Sequence, residues 1–331
     1  MPLTIGIIGT GGVAQGNYLP YLAEQEDVSL IYFSRTREKA ETCAAEFGGT
    51  CVDSIEAVAG AACDTILVLT NEQTRADVLE TLIPLKPKRL FFEKPLVAQD
   101  GQAHVSEDDF LLARKLMTEA HEQGIETAMI FNYRFFDQVT NAVRVVSEQD
   151  FGDPIQVSAT THYCCWSHVI DLVLSLCGPM RDVTAVSGSI THEGAGMEAK
   201  DLAGAFICEK GTTGILMGTA GPDFNFPLFE ITIGYQRGKV RLSGLDGESE
   251  IIDYGGRRIE RHVLTPSFSR WDHYKASFAK SLESYLASIR AGFPPPVPGL
   301  TGLQELQVEA ALKRSAAEKR QVRVQEEFPL S

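Results

Sequence analysis

Apolar and polar positions change period along this chain, and the change separates its first part from its second. Short apolar runs rich in β-branched residues recur early, at Leu3–Ile8, Val28–Phe33, Thr65–Leu69, Arg89–Phe92 and Thr127–Phe131. Runs that stay apolar on successive residues read as strands buried on both faces. Between them the spacing becomes helical, over Val13–Glu24, Arg37–Phe47, Ser54–Ala59, Arg75–Leu82 and Glu107–Gln123. Ser106 ahead of Glu107, Asp108 and Asp109 is a good helix start, a capping hydroxyl followed by acids that complement the dipole. This alternation predicts a parallel, doubly wound sheet with helices on both faces.

The second part reads differently. After Gly152-Asp153-Pro154 comes an extended run, Ile155–Thr161, then an apolar helical segment, Ser167–Leu176, closed by Gly178-Pro179. From Asp182 to Val263 short strands are separated by turn signals at Glu209-Lys210-Gly211, Gly221-Pro222, Arg237-Gly238, Asp246-Gly247 and Gly255-Gly256. That pattern predicts an open, mostly antiparallel sheet. Asp272–Ala291 reads as one long helix, with Phe278, Leu282, Leu286 and Ile289 at helical spacing, and Leu303–Glu318 as another. The run Gly292-Phe293-Pro294-Pro295-Pro296 between them is a rigid connector. At 331 residues two domains are the natural division. The expected fold is α/β, with residues 1–132 a nucleotide-binding domain and 133–331 a substrate and oligomerisation domain. The last helices are candidates to pack back on the first domain.

The first strand runs into Gly9-Thr10-Gly11-Gly12-Val13-Ala14, which fits the G-x-G-x-x-G/A form of the dinucleotide fingerprint. Gly9 permits the tight turn, Gly11 lets the backbone approach a pyrophosphate, and Ala14 is small enough for helix-on-strand packing. The opening N–H groups of the helix, including those of Gly12 and Val13, then face the diphosphate. About 20 residues beyond the glycines the fold reads the adenine ribose, commonly with a carboxylate for NAD. Here the second strand ends in Ser34-Arg35-Thr36-Arg37, and no acid comes until Glu38. A guanidinium flanked by hydroxyls suits a 2′-phosphate, so the cofactor expected is NADP(H) rather than NAD.

Composition narrows the partners. Lys+Arg 30 against Asp+Glu 44 gives a net charge of -14, which argues against nucleic acid or an anionic membrane surface. No apolar run approaches a membrane span, and no secretory signal pattern opens the chain. The 7 cysteines are scattered without a framework, and Cys164-Cys165 is an adjacent pair rather than C-x-x-C, so reduced thiols and a cytoplasmic location are expected. No Cys/His spacing suits zinc, so no metal is expected.

One further motif converges with this plan. Glu93-Lys94-Pro95 follows directly on the strand Arg89–Phe92. With the fingerprint, Asn132-Tyr133-Arg134-Phe135, Ser167-His168-Val169-Ile170-Asp171, Phe293–Val297 and Ser315-Ala316-Ala317-Glu318, it resembles the Gfo/Idh/MocA family of dehydrogenases and reductases, over nearly the whole chain. The resemblance implies that Lys94 lies beside the nicotinamide and stabilises charge developing on the substrate oxygen. It implies further that Glu93 sits near the nicotinamide ribose and that His168 is the acid–base group.

Two departures matter. The family's Asp four residues before that His is Cys164 here, a thiol that is mostly neutral at pH 7. His162, Tyr163, Asp171 and Arg134 join Cys164 as candidate substrate-side residues. In place of the family's T-P-N-x-x-H stands Thr70-Asn71-Glu72-Gln73-Thr74-Arg75. Cofactor contact is expected of Thr70 and Asn71, and none is assigned to Arg75.

The implied activity is hydride transfer between nicotinamide and the C–O carbon of a sugar, keto-sugar, cyclitol or similar polar metabolite, in the reductive direction. Reduction of a C=N bond is one alternative, and a non-catalytic NADP-binding sensor is another. The resemblance also implies a homodimer or tetramer formed through the C-terminal sheet, with Ile215–Met217 and Phe229–Ile233 as candidate apolar stretches; packing of those residues on the domain's own helices is the equal alternative.

Overall fold

In the computed structural model, which describes residues 2–221 and 227–331, the early apolar runs pair into one six-stranded parallel sheet. Its elements are β1 (Leu3–Ile8), α1 (Leu19–Ala23), β2 (Val28–Phe33), α2 (Arg37–Phe47), β3 (Thr50–Cys51), α3 (Ile55–Gly60), β4 (Thr65–Val68), α4 (Glu72–Leu82), β5 (Arg89–Phe92), α5 (Glu107–Glu122) and β6 (Glu126–Met129). The strand order is β3-β2-β1-β4-β5-β6, so its direction of growth reverses between β1 and β4. A crevice opens at the carboxyl ends of strands at such a point. Ile5, Ile7, Ile66, Leu67, Val68, Leu90, Phe91 and Phe92 are all buried, as continuous apolar strands require.

The predicted helix over residues 13–24 is present, running through residue 23, but its winding changes partway. Ala14–Tyr18 forms a wider π-type turn before α1 begins. Pro20, in the first turn of α1, has no N–H to return to the preceding turn, so the regular ladder cannot pass through it. The two-residue β3 is too short to leave a periodic trace in the sequence.

The second part comprises α6 (Asp137–Glu148), β7 (Pro154–His162), α7 (Trp166–Cys177), β8 (Met180–Gly194), β9 (Met197–Cys208), β10 (Thr213–Thr219), β11 (Phe229–Tyr235), β12 (Gly238–Ser243), β13 (Glu248–Asp253), β14 (Arg258–His262), α8 (Arg270–Ala291), α9 (Leu300–Glu318) and β15 (Val322–Arg323). They build a nine-stranded sheet, β14-β13-β12-β11-β7-β10-β9-β8-β15, antiparallel except where β10 runs parallel to β7. The expected turn at Gly221-Pro222 falls partly outside the described residues, which omit Pro222.

α8 packs on the first sheet. Phe278, Leu282, Tyr285, Leu286 and Ile289 share one buried cluster with Ile5, Ile7, Tyr32, Leu67 and Phe91, and the Tyr285 and Thr65 hydroxyls meet at 2.7 Å. Burial of five such side chains, at ~1.5–3 kcal/mol each, makes α8 part of the structure that supports the crevice.

On β11 the side chains of Phe229, Ile231 and Ile233 are at most 1% exposed and belong to the protein's own core. The apolar side chains of that stretch are thus covered by the protein's own core, because strand alternation turns them inward and leaves Glu230 and Thr232 on the other face. Val186 and Ile190 of β8 and Ile215 and Met217 of β10 stand outward instead, 66%, 65%, 57% and 42% exposed. Among the described residues no helix is long and apolar enough to cross a membrane.

Candidate active site

Three stretches of chain meet at the β1/β4 switch point. Gly9 has φ +99°, and a Cβ there would lie 2.8 Å from the Leu69 carbonyl carbon and the Thr70 nitrogen. Glycine is required both by that backbone conformation and by the close approach of the two strand ends. A Cβ on Gly11 or Gly12 would meet nothing within 4 Å, so the chain borders open space here at the start of a helix. Val13, 50% exposed, stands beside them, while Ala14 is buried against the sheet. The Thr70 hydroxyl is buried and lacks a hydrogen-bond partner, while the Thr10 hydroxyl lies against the Cys43 thiol. A glycine-lined helix start bordering open space, with the unpaired Thr70 hydroxyl beside it, fits a phosphate-bearing ligand such as a dinucleotide.

At the end of β2, Ser34 is half-buried while Arg35 and Thr36 are exposed. Arg37 is engaged, bonded to Glu41 at 2.7 Å and to Asp53. Arg35 has no hydrogen bond or ion pair among the described residues, which leaves its planar fork open to a ligand. Asn71 precedes the first turn of α4 and accepts from the Thr74 hydroxyl at 2.7 Å.

The Glu93-Lys94-Pro95 turn leaves β5 and is held by residues distant in sequence. Glu93 is 8% exposed; its Oε1 accepts from the Tyr18 hydroxyl at 2.6 Å and its Oε2 from the Lys94 amide at 3.0 Å. Burial, and then the Glu93 charge, push the Tyr18 phenol well above its ordinary range, so it donates as a neutral group. Arg75, only 1% exposed, donates to the carbonyls of Thr70 at 2.5 Å, Glu93 at 2.7 Å, Pro95, and Leu96 at 3.3 Å. Burial lowers its pKa, and the charges of Glu93 and Glu72 oppose the shift. Lys94 extends from this fixed base, and its Nζ donates to Gln102 Oε1 at 2.8 Å and to the Cys164 carbonyl at 3.1 Å.

The Cys164 carbonyl belongs to the entrance of α7. His162 ends β7 and accepts from the Cys164 amide through Nδ1 at 3.0 Å, with Nε2 3.2 Å from the Ala220 carbonyl. The Tyr163 hydroxyl donates to the Lys200 carbonyl at 2.7 Å. Both side chains are thus engaged with backbone, and burial pulls His162 below the usual imidazole range.

His168 is 2% exposed and stacks on Tyr133 at 3.9 Å between ring centroids, with Phe131 edge-on at 5.8 Å. Its Nδ1 is buried without a partner. Burial, and then the Lys94 charge, hold it well below the usual imidazole range, so the ring is neutral at pH 7. Asp171 does not bond His168; both its oxygens accept from Arg134, at 2.6 and 2.8 Å. Burial raises Asp171 to about 6 against the opposing pull of Arg134. Arg134 also lines a cavity of about 300 Å³ with Leu174, Met180, Gln304 and Gln307.

The structure therefore brings Lys94, Glu93, Thr70 and Cys164 into one bonded network and holds Arg134 with Asp171 in another. Tyr18, Arg75 and Gln102, which sequence reasoning did not assign to the site, complete the first. Among the described residues no group of His, Cys, Asp and Glu is placed to hold a metal ion.

Comparisons with known proteins agree with this geometry. The Gfo/Idh/MocA model, described as an oxidoreductase family with an NAD-binding Rossmann fold, matches residues 3–109. Myo-inositol 2-dehydrogenase of Thermotoga maritima is 21% identical, covering 98% of this chain and 99% of that protein. Among solved structures, an oxidoreductase from Agrobacterium radiobacter in complex with NAD+, L-tartaric acid and magnesium superposes with a TM-score of 0.81 at 16% identity, covering 99% of this chain and 100% of that one. Levoglucosan dehydrogenase in complex with NADH and levoglucosan superposes with a TM-score of 0.79 at 16% identity, over 98% of this chain and 100% of that one.

Proposed function

The chain belongs to the Gfo/Idh/MocA family of oxidoreductases, and from that premise we propose that it is an NADP(H)-dependent reductase of a ketone or keto-sugar. Its substrate class is a sugar, cyclitol or similar polar metabolite. The observation that carries this reading is Lys94, a cation at the crevice end of β5 whose backbone is fixed from three sides by Arg75, Glu93 and Tyr18. When bound, the nicotinamide supplies or accepts the hydride.

The residues present fit such a cofactor. Gly9, whose own amide donates to the Phe33 carbonyl at 3.0 Å, makes the turn that lets the amides of Thr10, Gly11, Gly12 and Val13 line the pyrophosphate position, and Thr70, Asn71 and Glu93 border the nicotinamide ribose. Ser34, Arg35 and Thr36 take the 2′-phosphate, and the unpaired Arg35 supports that choice. In this reading residues 1–132 carry the cofactor, and 133–331 supply the substrate wall and the self-association surface.

Lys94 Nζ exchanges Gln102 Oε1 and the Cys164 carbonyl for the substrate oxygen and stabilises the negative charge that develops there. His168, held neutral, is suited to accept a proton from a hydroxyl rather than to give one. Proton donation in the reductive direction therefore passes through Lys94. Cys164 lines the substrate side, and His162, Tyr163, Asp171 and Arg134 hold the wall behind it. The outward Val186, Ile190, Ile215 and Met217 support a homodimer or tetramer, for which light scattering after size exclusion is the check; a clean monomer of 36.2 kDa would remove that part of the reading.

Titration of the protein with NADPH and with NADH, followed by nicotinamide fluorescence, tests the cofactor reading. NADPH binding at least ~10-fold tighter, as expected for one charge-assisted contact, supports it and directs a screen of keto-sugars and imines with the reduced cofactor. Preference for NADH would overturn it and favour oxidation of a polyol.

A further inference from the structure

Cys164 and Cys165 lie side by side where α7 begins, with their sulfurs 3.5 Å apart. They are unlike the other five thiols. Cys43, Cys63, Cys177 and Cys208 are buried, and Cys51 is half-buried on β3. The adjacent pair instead joins the network around Lys94: Cys165 Sγ lies 3.0 Å from the Tyr133 hydroxyl, and Lys94 Nζ donates to the Cys164 carbonyl at 3.1 Å. Cys164 is half-buried and therefore approachable, while Cys165 is 2% exposed. The hydrogen bond from Cys164, together with that from Tyr133 and the Lys94 charge, favours a thiolate at Cys165 against the pull of burial. Thiolate character next to a second sulfur within reach is the setting in which thiols oxidise selectively.

We propose that Cys164 and Cys165 form a reversible oxidation site against Lys94, in which hydrogen peroxide joins the two sulfurs and draws the Cys164 carbonyl away from Lys94 Nζ. The Cys165 thiolate attacks one peroxide oxygen, giving a sulfenic acid at Cys165, and the second oxygen leaves as water with the proton that the Cys165 thiol has given up. The Cys164 sulfur then displaces the hydroxyl, which leaves as a second water once it has taken the Cys164 proton. Two thiols and one peroxide thus become one disulfide and two waters, two electrons passing from sulfur to oxygen.

Neighbouring α-carbons across a trans peptide stand about 3.8 Å apart, short of the roughly 4.4–6.8 Å that an unstrained disulfide spans. The bridge therefore twists the backbone between residues 164 and 165, and that segment carries the carbonyl to which Lys94 donates. Strained disulfides are also the readily reduced ones, which makes the modification reversible by a cellular thiol. The consequence for turnover rests on the functional reading above, whereas the modification itself does not.

The test uses the full chain treated with hydrogen peroxide and then digested for peptide mass analysis. Expected is the loss of two hydrogens in the peptide carrying residues 164 and 165, restored by dithiothreitol and absent from Cys164→Ser and from Cys165→Ala. Labelling of Lys94 by an amine-acylating reagent, quantified on its own peptide, should rise at least threefold in the oxidised protein and return to its starting rate on reduction. Oxygen addition at Cys164 or Cys165 without hydrogen loss, a bridge that maps to Cys177 and Cys208 instead, or a 164–165 bridge with unchanged Lys94 labelling would each overturn the proposal. Neither readout needs cofactor or substrate, so a failure of NADPH binding would count against the functional reading alone.

Discussion

Replacement of Arg75 by Met should both lower stability and disable the site. The guanidinium is 1% exposed and pairs four main-chain carbonyls, of Thr70, Glu93, Pro95 and Leu96. Each charge-assisted bond contributes ~1.5–3 kcal/mol, and each buried carbonyl left without a donor costs ~1–3 kcal/mol. Relief of the desolvation of a buried cation offsets part of this, and removal of one partner from a buried ionic arrangement typically leaves a net loss of about 3–5 kcal/mol. For a chain of 331 residues, unfolding entropy of roughly 2.1 cal/mol/K per residue converts that loss into a fall in Tm of about 4–7 °C.

The functional loss should exceed the stability loss, because the four carbonyls set the backbone from which Lys94 extends. A displacement of ~1 Å there costs on the order of 100-fold in turnover. Calorimetry, NADPH titration and single-turnover hydride transfer separate the two effects. Arg75→Lys, which presents one cation without the planar fork, should fall between parent and Met variant. A Met variant that melts within a degree of the parent and transfers hydride at an unchanged rate would refute the positioning role.

Three further outcomes follow from the same geometry. Arg35→Ala should weaken NADPH binding about 10-fold or more and leave NADH binding unchanged; equal effects on both cofactors would count against a 2′-phosphate contact. Lys94→Ala should reduce kcat strongly with little change in nicotinamide affinity, and retention of turnover would remove Lys94 from the chemistry. Glu305 and Glu309 face one another on α9, buried; desolvation and then the Glu309 charge raise Glu305 well above the ordinary carboxyl range. With the folded pKa raised, its contribution is fully present below about pH 4, the unfolded value, and is lost as pH rises through the folded one. Glu305→Gln should therefore gain stability relative to the parent between pH 5 and pH 8 in denaturant melts, and a pH-independent difference would show that the pair does not titrate.

The fold was legible because its strands declare themselves by continuity. β1, β2 and β5 have the bounds that their apolar runs predict, and the glycines after β1 mark where order reverses in the sheet. What the periodicity could not show is either very short or decided by tertiary contact. β3 holds two residues, and the helix after β1 widens into a π-type turn over Ala14–Tyr18, just ahead of Pro20, inside an otherwise helical pattern. The stretch Phe229–Ile233 looked equally fit for an interface or a core, since apolar alternation reports which side of a strand is buried but not what buries it.

The site was legible only where its chemistry sits in a contiguous motif. Glu93-Lys94-Pro95 could be read, whereas the side chains that fix it come from residues 18 and 75, joined to it by folding alone. A physical signal for Arg75 was nevertheless present. It precedes Leu79 and Leu82 at helical spacing, so it occupies the inward stripe of α4, where a side chain of that charge must find backbone acceptors to remain buried. The same logic applies to Glu305 and Glu309, one turn apart on a helix whose Leu303, Leu306, Val308, Ala310, Ala311 and Leu312 are also buried. A charged residue on a stripe that the period assigns to the core is thus a stronger pointer to the machinery around a site than a charged residue in a glycine-rich loop. The first must be satisfied internally, while water satisfies the second.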